Sequence, residues 1–282
     1  MSMTLLAQSV VDGIMAGSLY ALLALSLSLS WGLLRLVNIS YFGLAFLGAY
    51  LTYHLGTVFH LEPWWSALII LPAFFVYGVA LHAVFVRFGV AEMASMLVTF
   101  GISVLIESLI QWYWTADFRK YDIGYSDASF RVGVVYVPEL GLIACLAAIV
   151  LAVATWGGLN RTRLGKALRA SAQDGPIAAA FGIDSRKLAY ILAGTCAVYA
   201  GIAGIFIALT STLAPSQIDV WIGVVFAVVI IGGLANPLGA LAAGMLIGVT
   251  ESLTMAAVNP AWAPLVAFSV LIGLLLWNPK WA

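Results

Sequence analysis

Five ionisable side chains lie within long apolar runs of the sequence, where a charged group is costly unless it is paired or hydrated. They are Asp12, His54, His82, Glu107 and Glu251. The first three fall near the ends of their runs, where contact with lipid headgroups accounts for them. Glu107 falls in the middle of its run, and Glu251 in the outer half of its own, both beside hydroxyl side chains. We therefore expect these two carboxylates either to line a translocation path or to make structural hydrogen bonds within a helix bundle.

The sequence offers no motif for nucleotide, metal or covalent chemistry. It contains no G-x-x-x-x-G-K-[ST] phosphate loop and no G-x-S-x-G nucleophile, and no histidine has a second ligand at metal spacing. Cys145 and Cys196 lie in apolar runs, and we interpret them as small buried hydrophobes. We therefore expect neither an enzyme nor a cofactor, so ATP-driven work would need a partner protein.

The composition places most of the chain in a lipid bilayer. Hydrophobic residues make up 63% of the 282 residues and charged residues 9%, against roughly 25% charged residues in soluble domains. The formal charge of zero gives no reason to expect a nucleic-acid partner. Runs of crossing length predict an all-α polytopic bundle of about 8–9 crossings, forming one domain over residues 1–282. The runs fall at about 8–34, 37–58, 64–86, 93–114, 134–157, 188–212, 218–234, 237–257 and 262–278.

Two of these runs are interrupted, and we expect broken helices there. The seventh run is short and ends in Ile231–Pro237, which holds two glycines and a proline, and Asn38 closely follows the first run. Irregular backbone at membrane depth is tolerated where it faces protein or a cavity. Small residues recur at 13–17, 201–204 and 239–248, which predicts closely packed helices.

The distribution of cations predicts the orientation of the chain. Residues 158–187 carry six of the twelve lysines and arginines, and short loops rich in these residues stay in the cytoplasm. Counting crossings from there puts Arg35, Arg87 and Lys280 inside as well, with the N-terminus outside and the C-terminus inside. The loop at about 115–133 is then extracytoplasmic. The β-branched residues that follow Arg131 predict a short hairpin edge.

The basic segment contains the signals of a short capped helix. Asp174 is a suitable N-cap, and Gly175 and Pro176 suit a first helical turn. Gly182 stands where a left-handed C-terminal cap is expected, and Ile183 can make the apolar contact that closes it. A helix this short is marginal in water. Its alanine-rich, low-relief face would therefore dock either in a partner's groove or on its own bundle.

Two stretches of this segment carry a family resemblance. Arg169–Asp174 and Ala178–Ile183 resemble the coupling loop of ABC importer permeases of the branched-chain amino acid (LivH/LivM) family, in which an R-A-x-A-x-D…A…G-I pattern engages the ATPase. The preceding Asn160–Leu168 is similar to the family's R-T-x-x-G-x-A-L-R-A run. The resemblance implies a cytoplasmic coupling loop at about 158–187, whose ATPase contacts are Arg169, Ala172, Asp174, Ala178, Gly182 and Ile183.

Other regions resemble the LivH branch of the family. Gly17–Leu25, Val37–Tyr41 and Leu47–Tyr50 resemble its G-x-x-Y-A-L-x-A-L…V-N-F-A-H-G…L-G-A-Y pattern, with Tyr41 where the branch usually has His and Gly43 where it often has Glu. Ile231–Ala240 is similar to the family's G-G-x-G-x-x-x-G-A turn. The resemblance places Asn38, Ser40 and Tyr41 near the family's pathway. The alternative is that Asn38 only caps the second helix.

The resemblance implies a multi-pass permease subunit of a bacterial ABC importer in the cytoplasmic (inner) membrane, without a cofactor. Its implied partners are a homologous second permease of LivM type, two ATP-binding subunits, an extracytoplasmic solute-binding protein and the lipid bilayer. The solute stays open between branched-chain amino acids and urea, short amides or aromatic acids, because the binding protein sets selectivity in such systems. The alternative function is an ion-coupled secondary transporter or channel acting alone, which would depend on Glu107 and Glu251.

Overall fold

The computed structural model describes residues 3–122, 128–133, 135–257 and 262–277. Within these ranges seven helices are at least 20 residues long and apolar enough to cross a membrane, namely α1–α5, α8 and α10. This confirms the predicted all-α polytopic bundle. The elements in chain order are α1 (Met3–Leu29), a π-helical turn (Ser30–Leu34), α2 (Ser40–Phe59), α3 (Pro63–Phe88), α4 (Glu92–Trp114), β1 (Ser129–Val132), β2 (Val135–Pro138), α5 (Glu139–Arg161), α6 (Arg163–Gln173), α7 (Gly175–Ala180), α8 (Ser185–Thr210), α9 (Gln217–Gly232), α10 (Pro237–Ala257) and α11 (Ala263–Trp277).

Within the described ranges each of the nine apolar runs has a corresponding helix, with differences at the ends. α1 begins at Met3, before the predicted start of the first run. α5 begins at Glu139, five residues after the predicted start at 134, because residues 135–138 form β2. α9 has only 16 residues, about 24 Å of helix. It is therefore shorter than the seven helices of crossing length, and irregular segments flank it on both sides.

The centre of the bundle is formed by α1, α2 and α8, in which more than half of the residues are buried. Residues 21–30 are buried without exception, as the continuous apolar and small side chains of that stretch allow. By contrast, α3, α4 and α5 bury about a third of their residues or fewer. These three helices therefore form the outside of the bundle, where apolar side chains can face lipid.

α1 and α10 form the most extensive helix pair. They cross at two pairs of glycines: a Cβ on Gly13 would meet the backbone of residues 248–249, and one on Gly17 would meet the backbone of Gly244. Gly204 of α8 lies equally close to the backbone of Ala45 in α2. These contacts confirm that the small residues serve close helix packing.

Both expected breaks are present, and they contact each other. After the π-helical turn, Arg35 takes a left-handed conformation with φ +54°, and α2 begins only at Ser40. After α9, Gly233 and Ala235 have φ of +84° and +55°. Ser28 joins the two breaks: its carbonyl oxygen accepts a hydrogen bond from the Ala235 N–H at 3.1 Å, and its hydroxyl donates to the Gly233 carbonyl at 3.1 Å. Irregular backbone at this depth is thus satisfied by protein.

The predicted hairpin edge is also confirmed. β1 pairs with β2 in antiparallel register, with Arg131 opposite Tyr136. The turn includes Gly133 with φ +64°, which glycine adopts without strain. Gln8 of α1 extends the hairpin, because its side-chain amide accepts from the Tyr136 N–H and donates to the Tyr136 carbonyl, both at 2.9 Å. The hairpin therefore lies against the start of α1.

Candidate functional site

The segment expected as a loop at 158–187 is largely helical. α5 continues to Arg161, and Thr162 then caps α6: its hydroxyl accepts from the Gly165 N–H at 3.0 Å and donates to the Gly158 carbonyl at 2.6 Å. A Cβ on Gly165 would overlap the backbone of Gly158 and Leu159. This glycine therefore lets α6 fold back tightly against the end of α5.

The short capped helix is present as α7, and both of its caps are confirmed. The Asp174 carboxylate accepts from the Ile177 N–H at 3.0 Å. At the other end Gly182 has φ +79°, its N–H donates to the Ala179 carbonyl at 2.9 Å, and the Ile183 N–H donates to the Ala178 carbonyl at 3.2 Å. This pair of bonds is the Schellman motif.

The outward face of α7 is less flat than its alanine content predicts. Ala178 faces the bundle and is 3% exposed, whereas Ile177 and Phe181 are 57% and 83% exposed. Four residues apart, these two side chains lie on one face of the helix. The small Ala178 lets α7 lie close to the bundle, and the two bulky apolar side chains are left projecting from it.

Three hydrogen bonds hold α6 in place against the rest of the bundle. The Arg169 guanidinium donates to the Asn160 side-chain oxygen at 2.8 Å, and the Ser171 and Ser185 hydroxyls are 2.9 Å apart. The Arg35 guanidinium donates to the Ala172 carbonyl at 2.9 Å. Ile183 is half-buried at the end of the segment. The role of Arg35 was not evident from sequence, since nothing marks a bond between residues 137 positions apart.

The surface around α6 and α7 is strongly basic. Its exposed cations are Arg161, Arg163, Lys166, Arg186 and Lys187. Asp184 caps α8, and the Lys187 backbone N–H and ammonium hold the pKa of that carboxyl below its usual value. Thus the segment that carries the exposed apolar pair of α7 also carries five exposed cations.

A second group of predicted residues lies together at the break between α1 and α2. The Asn38 side-chain oxygen accepts from both the N–H and the hydroxyl of Ser40, at 3.0 and 2.6 Å. The Tyr77 hydroxyl of α3 donates to the Ser40 hydroxyl at 3.2 Å. Tyr41 is 2% exposed and lies beside the side chains of Ser30, Asn38 and Cys196. The N-cap of α2 is Ile39 and not Asn38, but the Asn38 side chain accepts from the first N–H of the helix and belongs to a buried polar cluster.

A narrow cavity beside this cluster is lined by Asn38, Tyr41 and His82. His82 is 8% exposed, its ring meets that of Tyr190 edge-on at 5.1 Å, and its Nδ1 has no hydrogen-bond partner in the described part of the chain. The position of His82 near the end of its apolar run predicts contact with lipid headgroups. Its burial against α8 shows instead that it packs within the bundle.

The two intramembrane carboxylates are in different surroundings. Glu251 is 6% exposed and accepts a hydrogen bond from the Tyr20 hydroxyl at 2.9 Å. Glu107 is half-buried, accepts from the Gln111 side chain at 3.0 Å, and lies near enough to Asp219 to interact electrostatically. Both carboxylates thus have a polar partner, and within the described residues neither is hydrogen-bonded to the Asn38 cluster.

Aromatic side chains missed by sequence reasoning form a band along α1, α2 and α9. At the end of the band near Glu251, the Trp221 ring meets Tyr20 at 5.0 Å and Phe46 at 5.9 Å, both edge-on. At the end near the α1–α2 break, the Phe226 ring lies 6.1 Å from the Trp31 ring and 6.4 Å from the Phe42 ring. We call these six residues the aromatic band. It connects the Glu251 region with the α1–α2 break, and four of its members are only half-buried, namely Tyr20, Trp31, Trp221 and Phe226.

Among the described residues, no group of three or more histidine, cysteine or acidic side chains could hold a metal ion. The described residues thus combine a band of aromatic rings, buried polar groups with hydrogen-bond partners and a short helix with both ends capped.

Comparison with known proteins gives the family. The family model described as "Branched-chain amino acid transport system / permease component" matches residues 9–275. The "Probable branched-chain amino acid transport permease protein LivH" of Methanocaldococcus jannaschii is 29% identical over 85% of this chain and 78% of its own length. The permease proteins BraD of Pseudomonas aeruginosa and LivH of Escherichia coli are each 21% identical over 96% of this chain, covering 94% and 93% of their own lengths. No solved structure matches.

The family match covers almost the whole chain, including both breaks and the segment that holds α6 and α7. The relatives are named as transport permease proteins, so the chain is a transport protein and not an enzyme. Together with seven helices of crossing length, the comparisons establish that this chain belongs to the branched-chain amino acid permease family of ABC importers, as a multi-pass subunit of the LivH type in the inner membrane.

Proposed function

We propose that this permease carries branched-chain amino acids or related small solutes across the membrane, driven by partner ATPases that dock on α7. The observation that carries the docking is the exposed pair Ile177 and Phe181, held on a helix with both ends capped. An 83% exposed phenylalanine that contributes little to its own fold is typical of an anchor that becomes buried in a partner.

The docking surface in this proposal consists of Ile177, Phe181 and the cations around them. The predicted ATPase contacts Asp174, Ala178 and Gly182 shape it rather than form it, because they cap α7 or seat it on the bundle. Arg169, Ala172 and Ile183 hold the neighbouring α6 and the end of the segment. This surface faces the cytoplasm in the proposed orientation, and residues 115–133 face the outside.

Distribution of charge supports that orientation. Arg35 bonds to α6, so the α1–α2 break, α6 and α7 share one end of the bundle. Arg119 forms a backbone bridge with Leu213, so the loop after α4 lies beside the segment that precedes α9, and in this proposal both belong to the other end. The first end carries eight of the twelve cations, counting Arg87 at the end of α3, which favours the cytoplasm.

The docking is tested by purifying the tagged chain from its native membrane and scoring ATPase subunits in the eluate. Phe181→Ala should lose the ATPase, since truncating a buried aromatic anchor costs about 2–4 kcal/mol of binding free energy. Phe118→Ala is the matched control, because Phe118 is 76% exposed at the opposite end of the bundle. Equal ATPase recovery with both variants would contradict docking through α7.

The solute path in this proposal runs along the aromatic band from the Glu251 region to the cluster of Asn38, Ser40 and Tyr41. A wall of half-buried aromatic rings suits aliphatic side chains, and its few polar groups suit weak, transient binding. Glu107 and Asp219 lie near each other, and Asp219 is two residues before Trp221 of the band. A second permease of LivM type would complete the path, and an extracytoplasmic binding protein would deliver the solute.

Uptake of labelled leucine in cells that hold all the subunits tests the path. Trp221→Ala should reduce uptake while leaving ATPase recovery intact, and Trp65→Ala, in α3 and 63% exposed, should not. Competition with urea, a short amide and phenylalanine then separates the candidate solutes. Uptake that persists without ATPase subunits and follows an ion gradient would support the alternative of a transporter acting alone.

A further inference from the structure

Arg35 occupies a backbone conformation that favours glycine. Its φ of +54° and ψ of +38° lie in the left-handed region, directly after the π-helical turn. A side chain with a Cβ is strained there. Glycine would fit this backbone conformation with less strain. What arginine adds at this position is therefore its side chain.

That side chain bonds to the carboxyl end of α6. The guanidinium donates to the Ala172 carbonyl at 2.9 Å, which is one of the last four carbonyls of the helix and has no partner within it. A cation there also interacts favourably with the helix dipole. Asp174, which caps α7, follows two residues later. Arg35 thus contacts α6 at the point where α7 begins.

The backbone of Arg35 is bonded in turn to the α1–α2 break. The Leu36 N–H donates to the Ser30 carbonyl at 3.3 Å, and the Ser30 hydroxyl donates to the Leu36 carbonyl at 2.9 Å. The Thr99 hydroxyl of α4 donates to the Ser95 carbonyl at 2.7 Å, lies 3.2 Å from the Val37 carbonyl and accepts from the Ile39 N–H at 3.0 Å. Contacts with Ser30 and Thr99 therefore hold residues 35–39 as far as the Asn38 cluster.

The other bonds of α6 do not reach this region. Arg169 holds α6 to the end of α5, and Ser171 holds it to the start of α8. Of the hydrogen bonds that α6 makes through its side chains or to a side chain in the described residues, the one from Arg35 alone joins it to the segment before α2.

We propose that Arg35 is the positioning residue that transmits displacement of α6 and α7 to the α1–α2 break, and so links ATP hydrolysis to opening of the path. This inference rests on the proposed function, since it assumes that an ATPase moves α7. The transmission would then depend on the hydrogen bond from the Arg35 side chain to the Ala172 carbonyl.

The experiment measures solute transported per ATP hydrolysed, with the whole transporter in proteoliposomes, for Arg35→Gly, Arg35→Asn and Arg35→Lys. Glycine and asparagine accept the left-handed backbone but cannot reach Ala172, and lysine keeps the charge with a single-point donor. We expect the ratio to fall about tenfold for the first two, the factor that corresponds to loss of a charged hydrogen bond, and less for lysine. Arg87→Gln is the control. It removes a different cation, at the carboxyl end of α3, from the end of the bundle that also holds Arg35.

Recovery of ATPase subunits is measured on the same preparations and should not change, because Arg35 lies outside the docking surface. A wild-type ratio for Arg35→Gly, or for Arg35→Asn if the glycine variant does not fold, would overturn the inference. Failure of the wild-type chain to recover an ATPase would instead overturn the proposed function, so the two failures are distinct.

Discussion

Tyr20 and Glu251 are 231 residues apart in the chain, yet the hydroxyl of one lies 2.9 Å from the carboxylate of the other. The bond joins α1 to α10 at a site where Glu251 is almost fully buried. In a low-dielectric interior a carboxylate without such a donor is strongly disfavoured. This favours the structural interpretation of Glu251 over a role as an exposed ion ligand.

Replacing Tyr20 with Phe should therefore destabilise the protein. Loss of the hydroxyl leaves the carboxylate without this donor, at a cost of about 1–2 kcal/mol of unfolding free energy. The measurement is thermal unfolding in detergent, with Tyr113→Phe as control, since Tyr113 is 57% exposed. Equal stability of the two variants would mean that the carboxylate has another donor and is not held by Tyr20.

The sequence predicts which individual residues matter better than it predicts which groups they bond to. Asp174 and Gly182 are parts of local capping motifs, so the spacing of residue types was sufficient to predict their surroundings. The bonds of Glu251 and Ala172 join distant parts of the chain. No periodicity or composition encodes which distant side chain meets which carbonyl, so these contacts needed the structure.

At the scale of elements, α7 depends on the conformation at its carboxyl end. Gly182 has φ +79° with open space around a built Cβ, so substitution would strain the backbone without a steric clash. Gly175, at the start of the same helix, also has open space and no positive φ. The two glycines form a matched pair that differs in backbone conformation.

We expect Gly182→Ala to weaken ATPase binding about tenfold or more, because the left-handed penalty of roughly 1–2 kcal/mol disfavours the docked shape of α7. Gly175→Ala should bind as the wild type does. Titration of purified ATPase subunits against each variant measures the difference. Identical affinities would show that the cap of α7 does not matter for docking.

α6 is a helix that the sequence analysis did not predict, although its residues carry helical signals. Gly165, Leu168 and Ala172 recur at spacings of three and four, which is typical of a helix with one inward face, and Thr162 is a suitable cap. These signals were present in a segment interpreted mainly as a basic loop. The turn between α5 and α6 was harder to foresee, because it depends on contact between Gly165 and the backbone at Gly158.

For the whole molecule, the crossing of α1 with α10 determines whether the bundle can assemble. Gly17→Val should prevent this close approach, since its Cβ would meet the backbone of Gly244 and Met245, and overpacking costs about 1–3 kcal/mol or more. The expected result is a lower yield of folded protein and a lower Tm in detergent. Gly101→Val is the control, because no atom lies within 4 Å of its built Cβ. Similar Tm values for both would contradict the packing role.

Orientation is a second property of the whole molecule that can be measured. Cysteines introduced at Gln173 and Asp117, both exposed, should differ in their reaction with a membrane-impermeant maleimide on intact cells. We expect Asp117→Cys to react at once and Gln173→Cys only after permeabilisation. The unsubstituted chain is the control, since Cys145 and Cys196 are buried. The reverse pattern would place α7 outside and would contradict docking on a cytoplasmic ATPase.

The order in which the chain is made gives the α1–α10 crossing one more consequence. Gly13 is synthesised near the beginning and Gly248 near the end, so at roughly 5–20 residues per second about 10–50 s separate them. During that interval α1 is already in the membrane, and its glycine face lacks the helix that will cover it. A ribosome that stalls before residue 237 therefore leaves a nascent chain whose first helix has no α10, so the glycine face of α1 is covered only when synthesis has nearly finished.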